Sequence, residues 1–432
     1  MASLVEVSDI IASYLKEKGS AKAQYTVTER ETREITLENG EFTLFRTLFD
    51  NDVEIEVIKD HKIGKTSINK FDEMAIKNAL DTAFVSAESG SADEAYDIAP
   101  KMEPAVFHIG VEEPDVDQLM QRAQEFVKDI KERYPKILIM QIILTHVKEH
   151  SLYRNSNGSQ DETFSGYYSI VAEYAGNDGE NSTGIGGCVA VTKNLDTPFI
   201  ELGNIDYNLK VAQDSLELTT VEGKFQGDVI FTPECMSQML GYTVTNFIDD
   251  NVLIAGTSMW KDKLEQKVAS DLFTLEYKPW DERIVSHEVH TADGFRSEDF
   301  VVIKDGVLKS FGASLYGANK CNVERAKCSE YDFVVEPGDT ELSDMIKSVK
   351  KGLIIGAISC GIPSANGEIS GVAKNSFYVE NGEIKGAVME TMVSFTLPEM
   401  LQNIVEISKE APLDGTCVMP FIKVKNINIS GK

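Results

Sequence analysis

The chain has 432 residues, 42% apolar and 26% charged, and its 42 Lys and Arg against 70 Asp and Glu give a net charge of −28. The length predicts two domains, or three, and the composition an ordinary globular protein. The negative field repels phosphates and anionic lipid and no basic patch offsets it, which argues against direct binding to nucleic acid or a membrane surface.

No basic segment followed by an apolar stretch opens the chain, so no signal peptide is expected. The longest apolar runs, 137–144 and 353–358, fall short of the about 20 residues that span a bilayer. Six cysteines without close spacing read as reduced thiols. The expected location is the cytoplasm.

Leu4, Val7, Ile10, Ile11, Tyr14 and Leu15 form one helical stripe, closed by Gly19. Strands are expected from Ala23 to about Lys65, then a helix carrying Phe71, Met74, Ala75, Ala79, Ala83 and Phe84. The small, acidic stretch 86–103 reads as an exposed connection. Pro114 opens a third helix that ends near Pro135, followed by a buried strand over 137–147 and another over 167–174. Residues 176–187, rich in Gly, Asn and Ser, read as a loop. A helix over about 206–218 leads to a boundary near 219–226, which predicts domains of 1–220 and 221–432. The second half starts with a strand over 228–231 and a helix capped by Thr232 with Pro233 at its first position. Further helices are expected over 340–351, with Gly352 as cap, and over 398–408. Both halves are therefore predicted as α+β, with mixed or antiparallel sheets and packed helices.

One phrase occurs three times: a strand, a turn dipeptide ending in glycine, and another strand. It is centred on Asn39-Gly40, Asp305-Gly306 and Asn381-Gly382. These dipeptides tolerate positive φ at both central positions, as a type I′ hairpin requires.

Taken in order, several segments resemble the TldD/PmbA family, whose members are described as modulators of DNA gyrase and as metallopeptidases. They are Asn155-Ser156-Asn157-Gly158, Gly256 through Leu264, and Asp293-Gly294-Phe295 with Lys304 through Lys309. Lys351-Gly352-Leu353, Asn366 through Ser370, and Ser376 through Ile384 complete the set. The resemblance implies two α+β domains, a peptide substrate, and a homodimer or a heterodimer with a TldD-like subunit. In the TldD branch a helix carries His-Glu-x-x-x-His and a later Cys completes a zinc site, leaving an open position for water. The corresponding helix here, near 232–248, has no histidine, and none occurs between His150 and His287. Cys417 lies near the family's third ligand, but a lone thiol cannot hold zinc. The profile resembles the PmbA branch, with zinc entering only through a partner subunit or a divergent site.

Two histidine pairs compete for that divergent site. His146-Val147-Lys148-Glu149-His150 matches an inverted zinc motif in letters, but on a strand the two rings stand roughly 13 Å apart. His287-Glu288-Val289-His290, on a strand or loop, offers two metal-ligand candidates, His287 and His290, and one candidate catalytic carboxylate, Glu288. Gly256-Thr257-Ser258 and Gly312-Ala313-Ser314 each lack the second glycine of a nucleophile elbow. Cys360 has no histidine assigned beside it. The leading expectation is a PmbA-like subunit taking part in proteolysis of unfolded or extended peptides. The alternatives are a non-catalytic peptide-binding scaffold and an independent metalloenzyme using His287 and His290.

Overall fold

Residues 3–19, 22–285, 287–329, 332–388 and 390–432 are described by the computed structural model. Ser3 opens α1 (Leu4–Lys18) with a capping box: its hydroxyl accepts from the Glu6 N–H, and the Glu6 carboxylate accepts from the Ser3 N–H. Then come β1 (Lys22–Glu38), β2 (Glu41–Lys59) and β3 (Lys62–Ile68), an antiparallel meander. After it run α2 (Glu73–Ser89), β4 (Ala105–Gly110), α3 (Val116–Arg133), β5 (Ile137–Asn155), β6 (Gln160–Gly176), β7 (Gly186–Thr192) and α4 (Ile205–Asp214). They form one seven-stranded sheet in the order β3-β2-β1-β5-β6-β4, with β7 also on β6.

Among the described residues, helices α1 to α4 pack on one face of this sheet. Val7, Ile11, Ile76 and Leu80 of α1 and α2 pack on Val27, Ile55 and Leu152. Leu119, Phe126 and Leu209 of α3 and α4 pack on Ile35, Leu144 and Ile170. Side chains alternate along a strand, so the registers assign the residues of the other face. Glu54, Thr26, Tyr153 and Asp161 make one row across it; Asp50, Arg30, Glu149 and Ser165 make another. A third row is Leu44, Thr36, Ile143, Val171 and Val189. This second face is mostly Thr, Ser, Tyr and charged residues, with an apolar row at one end, and His290 and Arg296 of the second half cover it at Tyr153 and Asp161.

The second half builds a nine-stranded sheet from β8 (Lys224–Phe231), β13 (Lys351–Ile355), β14 (Ala357–Cys360), β15 (Glu368–Lys374), β16 (Ser376–Glu380), β17 (Glu383–Val388), β18 (Thr391–Thr396), β19 (Ile404–Ile407) and β20 (Ile422–Ser430). A four-stranded sheet joins β9 (Leu275–Tyr277), β10 (Phe300–Lys304), β11 (Val307–Leu308) and β12 (Phe333–Val334). Among the helices are α5 (Pro233–Phe247), α6 (Asp250–Ile254), α7 (Leu315–Cys321), α8 (Leu342–Lys347) and α9 (Leu397–Gln402). Met236, Met239, Leu240 and Phe247 of α5 enter one core with Phe231, Phe273, Leu353 and Ile422. The pairs β4–β6 and β8–β13 are parallel and the others antiparallel, so the fold is α+β with mixed sheets.

All three expected hairpins form, with φ of 53° and 81° at Asn39-Gly40, 48° and 77° at Asp305-Gly306, and 52° and 78° at Asn381-Gly382. A fourth has no glycine: Asp60 and His61 turn β2 into β3 with φ of 52° and 59°.

Elsewhere the structure corrects the sequence reading. The helix expected over 340–351 stops at Lys347, and Gly352 lies inside β13 rather than capping a helix. A Cβ at Gly352 would stand 1.8 Å from the Asp228 carbonyl oxygen, so this glycine serves the close approach of β13 to β8. The helix expected over 398–408 likewise ends at Gln402, and residues 404–407 join β20 as β19. In the stretch expected to be exposed, Ala95, Ile98 and Ala99 are buried. Two short strands were not expected: β4 lies between the expected connection and the third helix, and β7 begins in the last two residues of the expected loop.

Candidate functional site

Thr232 builds the start of α5. Its side chain accepts from the Cys235 N–H, and Pro233 fills the first helical position, where no N–H is needed. Glu234 therefore projects from the first turn, at the positive end of the helix dipole. The Asn204 side-chain amide donates to Glu234 Oε2 at 2.8 Å, although Asn204 stands at the N-cap of α4 and makes no capping bond there.

A clamped loop brings Cys417 to the same helix. Val191 of β7 donates its N–H to the Asp414 carbonyl at 2.8 Å, and Gly203 donates to the Leu413 carbonyl at 2.9 Å. Val285 donates to the Gly415 carbonyl at 2.8 Å. Gly415, at φ 81°, lies so close to β7 that a Cβ would stand 2.2 Å from the Val191 carbonyl oxygen. Cys417 Sγ then lies 3.4 Å from Ser237 Oγ, one turn beyond Glu234 on α5.

Between these elements lies a cavity of about 510 Å³, lined by Val171 and Glu173 of β6, Gly187 and Val189 of β7, Asn204 and Asn208, Glu234, Asp414 and Thr416. Three carboxylates and no cation line it, so it favours N–H donors or a positive terminus over an anion. Because Val191 turns its N–H away from β6 toward Asp414, Gly187 and Val189 turn theirs the same way, along this cavity. An extended chain laid there would find strand-edge donors and acceptors.

The residues on α5 do not fit zinc. The helix offers Glu234 and Cys235 but no histidine, and Cys235 is fully enclosed by the core. Burial pushes the Cys417 thiol up to about 11, and it holds the Cys235 thiol up as well.

The His-Glu-Val-His segment lies elsewhere, where the two halves meet, and its side chains part company. His287 stacks on Trp280 and donates from Nδ1 to the Pro279 carbonyl. Burial lowers its pKa. His290 stacks on Tyr153 and donates from Nε2 to Asp161 Oδ2 at 2.8 Å. Asp161 also receives two bonds from Arg296, at 2.8 and 2.6 Å, and one from the Ala105 N–H at 2.9 Å. Burial alone would raise the pKa of Asp161, but the bonds from Arg296 and His290 outweigh it and hold the carboxyl well below the usual range. A second cavity, of about 600 Å³, opens beside His290 and is lined by Gln24, Glu54, Glu56, Lys65 and Tyr153.

Glu288 takes a third direction and accepts from the Ser329 N–H at 2.8 and 3.0 Å. Among the described residues, the one set of three His, Cys, Asp or Glu side chains with ligand atoms mutually within 4.8 Å is Glu288, Cys328 and Asp332. Neither His287 nor His290 belongs to it. His146 and His150 lie on β5 as the strand reading requires; His146 donates to the Val111 carbonyl and His150 pairs with Glu162.

The sequence reading missed Asp161, Arg296, Glu234 and Asn204, each a common polar residue without a motif. Strand β7 did leave a signal, the alternation Cys188-Val189-Ala190-Val191-Thr192, obscured by the glycines before it.

The seven-, nine- and four-stranded sheets with their packed helices make an α+β scaffold, and a cavity opens at the first turn of α5 beside a late cysteine. The profile described as PmbA/TldA metallopeptidase C-terminal domain matches residues 223–431. With that match to its C-terminal half, the chain is similar to proteins of the TldD/PmbA family. It is 23% identical to a metalloprotease PmbA homologue of Haemophilus influenzae, over 96% of this chain and 94% of that one. It is also 23% identical to a metalloprotease of Methanocaldococcus jannaschii, over 90% of each. The fold is shared with TldE from Thermococcus kodakarensis, with a TM-score of 0.83, 20% identity and coverage of 98% and 99%. A candidate modulator of DNA gyrase from Bacteroides thetaiotaomicron superposes with a TM-score of 0.84 at 19% identity, over 99% of each chain.

Proposed function

We propose that this chain is a PmbA-like subunit of the metallopeptidase family that holds unfolded or extended peptides and takes part in their proteolysis without a zinc helix of its own. The observation that carries the reading is the outward edge of β7, at Gly187 and Val189, beside the acidic cavity at the start of α5. Pairing with a strand edge binds a peptide through its backbone and so accepts many sequences. The polar face extends this surface along β6 toward His290, which covers its far end at Asp161: Val171 and Asp161 are ten residues apart, about 34 Å of strand. The seven-stranded sheet on one side, and the nine- and four-stranded sheets on the other, act as two domains meeting near residue 221, in the cytoplasm, where the six cysteines stay as free thiols. The zinc-bound water for hydrolysis comes from a TldD-like subunit, and the residues of this chain bind and orient the peptide.

Metal content and peptidase activity of the purified chain test the division of labour. The expected result is well under one zinc per chain and no hydrolysis alone, with hydrolysis appearing on co-expression with a His-Glu-x-x-x-His relative. One zinc per chain together with activity in the chain alone would refute it. A second reading, an independent metalloenzyme, is favoured by the Glu288, Cys328 and Asp332 set. In that case Glu288→Gln abolishes both metal binding and activity of the isolated chain, whereas on the first reading it changes neither.

A further inference from the structure

Among the described strands β7 pairs with β6 alone, and its outer edge is open for only part of its length. Gly187 and Val189 turn their N–H and C=O groups outward. At Val191 the 413–416 loop closes the edge: the Val191 N–H donates to the Asp414 carbonyl at 2.8 Å. The loop lies so close that a Cβ on Gly415 would stand 2.2 Å from the Val191 carbonyl oxygen. A chain added to this edge therefore cannot run past Val191 and must end beside Asp414.

The lining of that dead end decides which terminus fits. Asn204 is 7% exposed and stands at the N-cap of α4. An Asn there normally gives its side-chain oxygen to a helix N–H, but Asn204 makes no such bond and turns its amide to Glu234 instead. A carboxylate only accepts, so the amide nitrogen faces Glu234 and the oxygen faces away. Among the described residues nothing donates to Asn204 Oδ1, and a buried amide oxygen needs a donor. Glu234 Oε1 likewise accepts from none of them. Asp414 uses Oδ1 for the N–H and hydroxyl of Thr416 and keeps Oδ2. Acceptors from all three residues thus line the cavity, and among the described residues no cation does. A protonated amine brings three N–H donors and a positive charge, whereas a carboxylate end would meet only acceptors and like charge.

We infer that the cavity at the start of α5 takes the free, protonated amino terminus of an extended peptide lying antiparallel to β7. Glu234 and Asp414 are its anionic contacts, and Asn204 holds Glu234 in place and adds a neutral acceptor. The direction follows from the dead end: the first residue of the peptide lies at the Val191 end, and later residues run back past Val189 and Gly187. The inference rests on the peptide-binding reading and names the end of the peptide that the site selects.

Isothermal titration calorimetry of the full chain with one short peptide of Ala, Ser, Thr and Val, in three forms, tests it. All are amidated at the carboxyl end; one has a free amine, one is acetylated, and one is acetylated with a Lys at its centre. The free amine should bind at least about tenfold more tightly than the acetylated form, the scale of a hydrogen-bonded charge pair. The central Lys should not restore the loss. Glu234→Gln keeps an acceptor for Asn204, and Asp414→Asn keeps one for Thr416. Each variant, shown to be folded by thermal unfolding, should shrink the ratio of the two affinities. Equal affinity for the free and acetylated forms would overturn the inference and leave the peptide-binding reading standing. Recovery through Lys would put a side chain rather than a terminus in the cavity and overturn it too, as would a full preference in either variant. No binding of any form would overturn the reading and the inference together.

Discussion

Asp161 shows how a single carboxylate can hold two halves of a chain together. Its side chain is fully enclosed and accepts from Arg296, from His290 and from the backbone of Ala105. Around it Phe107 stacks on Trp280 and lies under the Arg296 guanidinium, so charge and ring contacts cross the same junction. Asp161→Ala is expected to cost about 3 kcal/mol in urea unfolding, the low end for breaking a buried pair, because Arg296 regains part of its hydration. The pH dependence follows from the depressed carboxyl. A group whose folded pKa lies below its unfolded value contributes stability above the unfolded value, about 3.9 for Asp, and loses it as pH falls through the folded one. The acid limb of the stability curve below about pH 4 should flatten in Asp161→Asn. An unchanged limb would deny this carboxylate its role. No sequence pattern announces Asp161, because its partners lie 129 and 135 residues away.

At the scale of elements, local turn chemistry was legible and strand pairing was less so. The three Gly-turned hairpins follow from two residues each, and the α5 start from Thr232-Pro233, since their causes are adjacent in the chain. Gly352 misled because a glycine after a helix-like stretch reads as a cap, whereas the approach of β8 makes it necessary. The hairpin glycines differ in what surrounds them. A Cβ at Gly382 would stand 2.5 Å from the Lys347 carbonyl oxygen, while at Gly40 it would meet the Val127 side chain at 3.0 Å. Backbone cannot retreat as a side chain can. Gly382→Ala should therefore lose about 2–3 kcal/mol and Gly40→Ala about 1 kcal/mol, measured by thermal unfolding at matched pH. Equal losses would show that backbone conformation alone sets the cost.

Across the whole molecule, one seven-stranded sheet keeps helices on one face and leaves the other face polar, ending in an apolar row beside α5. Among the described residues no helix is long and apolar enough to cross a membrane. The family motifs were legible because they are scaffold phrases. The candidate site was only half legible: the missing histidines and Cys417 could be read directly. The edge of β7, the clamped 413–416 loop and the Asn204–Glu234 contact depend on residues far apart in sequence.

The edge of β7 gives the most direct test of the peptide-binding account. Val189→Pro removes an N–H that points away from β6, so it should leave the sheet intact while deleting one donor from the proposed groove. Fluorescence anisotropy of a labelled, unfolded peptide, titrated with the zinc-free chain, is the measurement. The account predicts binding by the wild type and at least about a tenfold weaker affinity for Val189→Pro at unchanged thermal stability, the loss of one well-made backbone bond and its neighbours. Equal affinity of the two proteins, or no binding by the wild type, would contradict it.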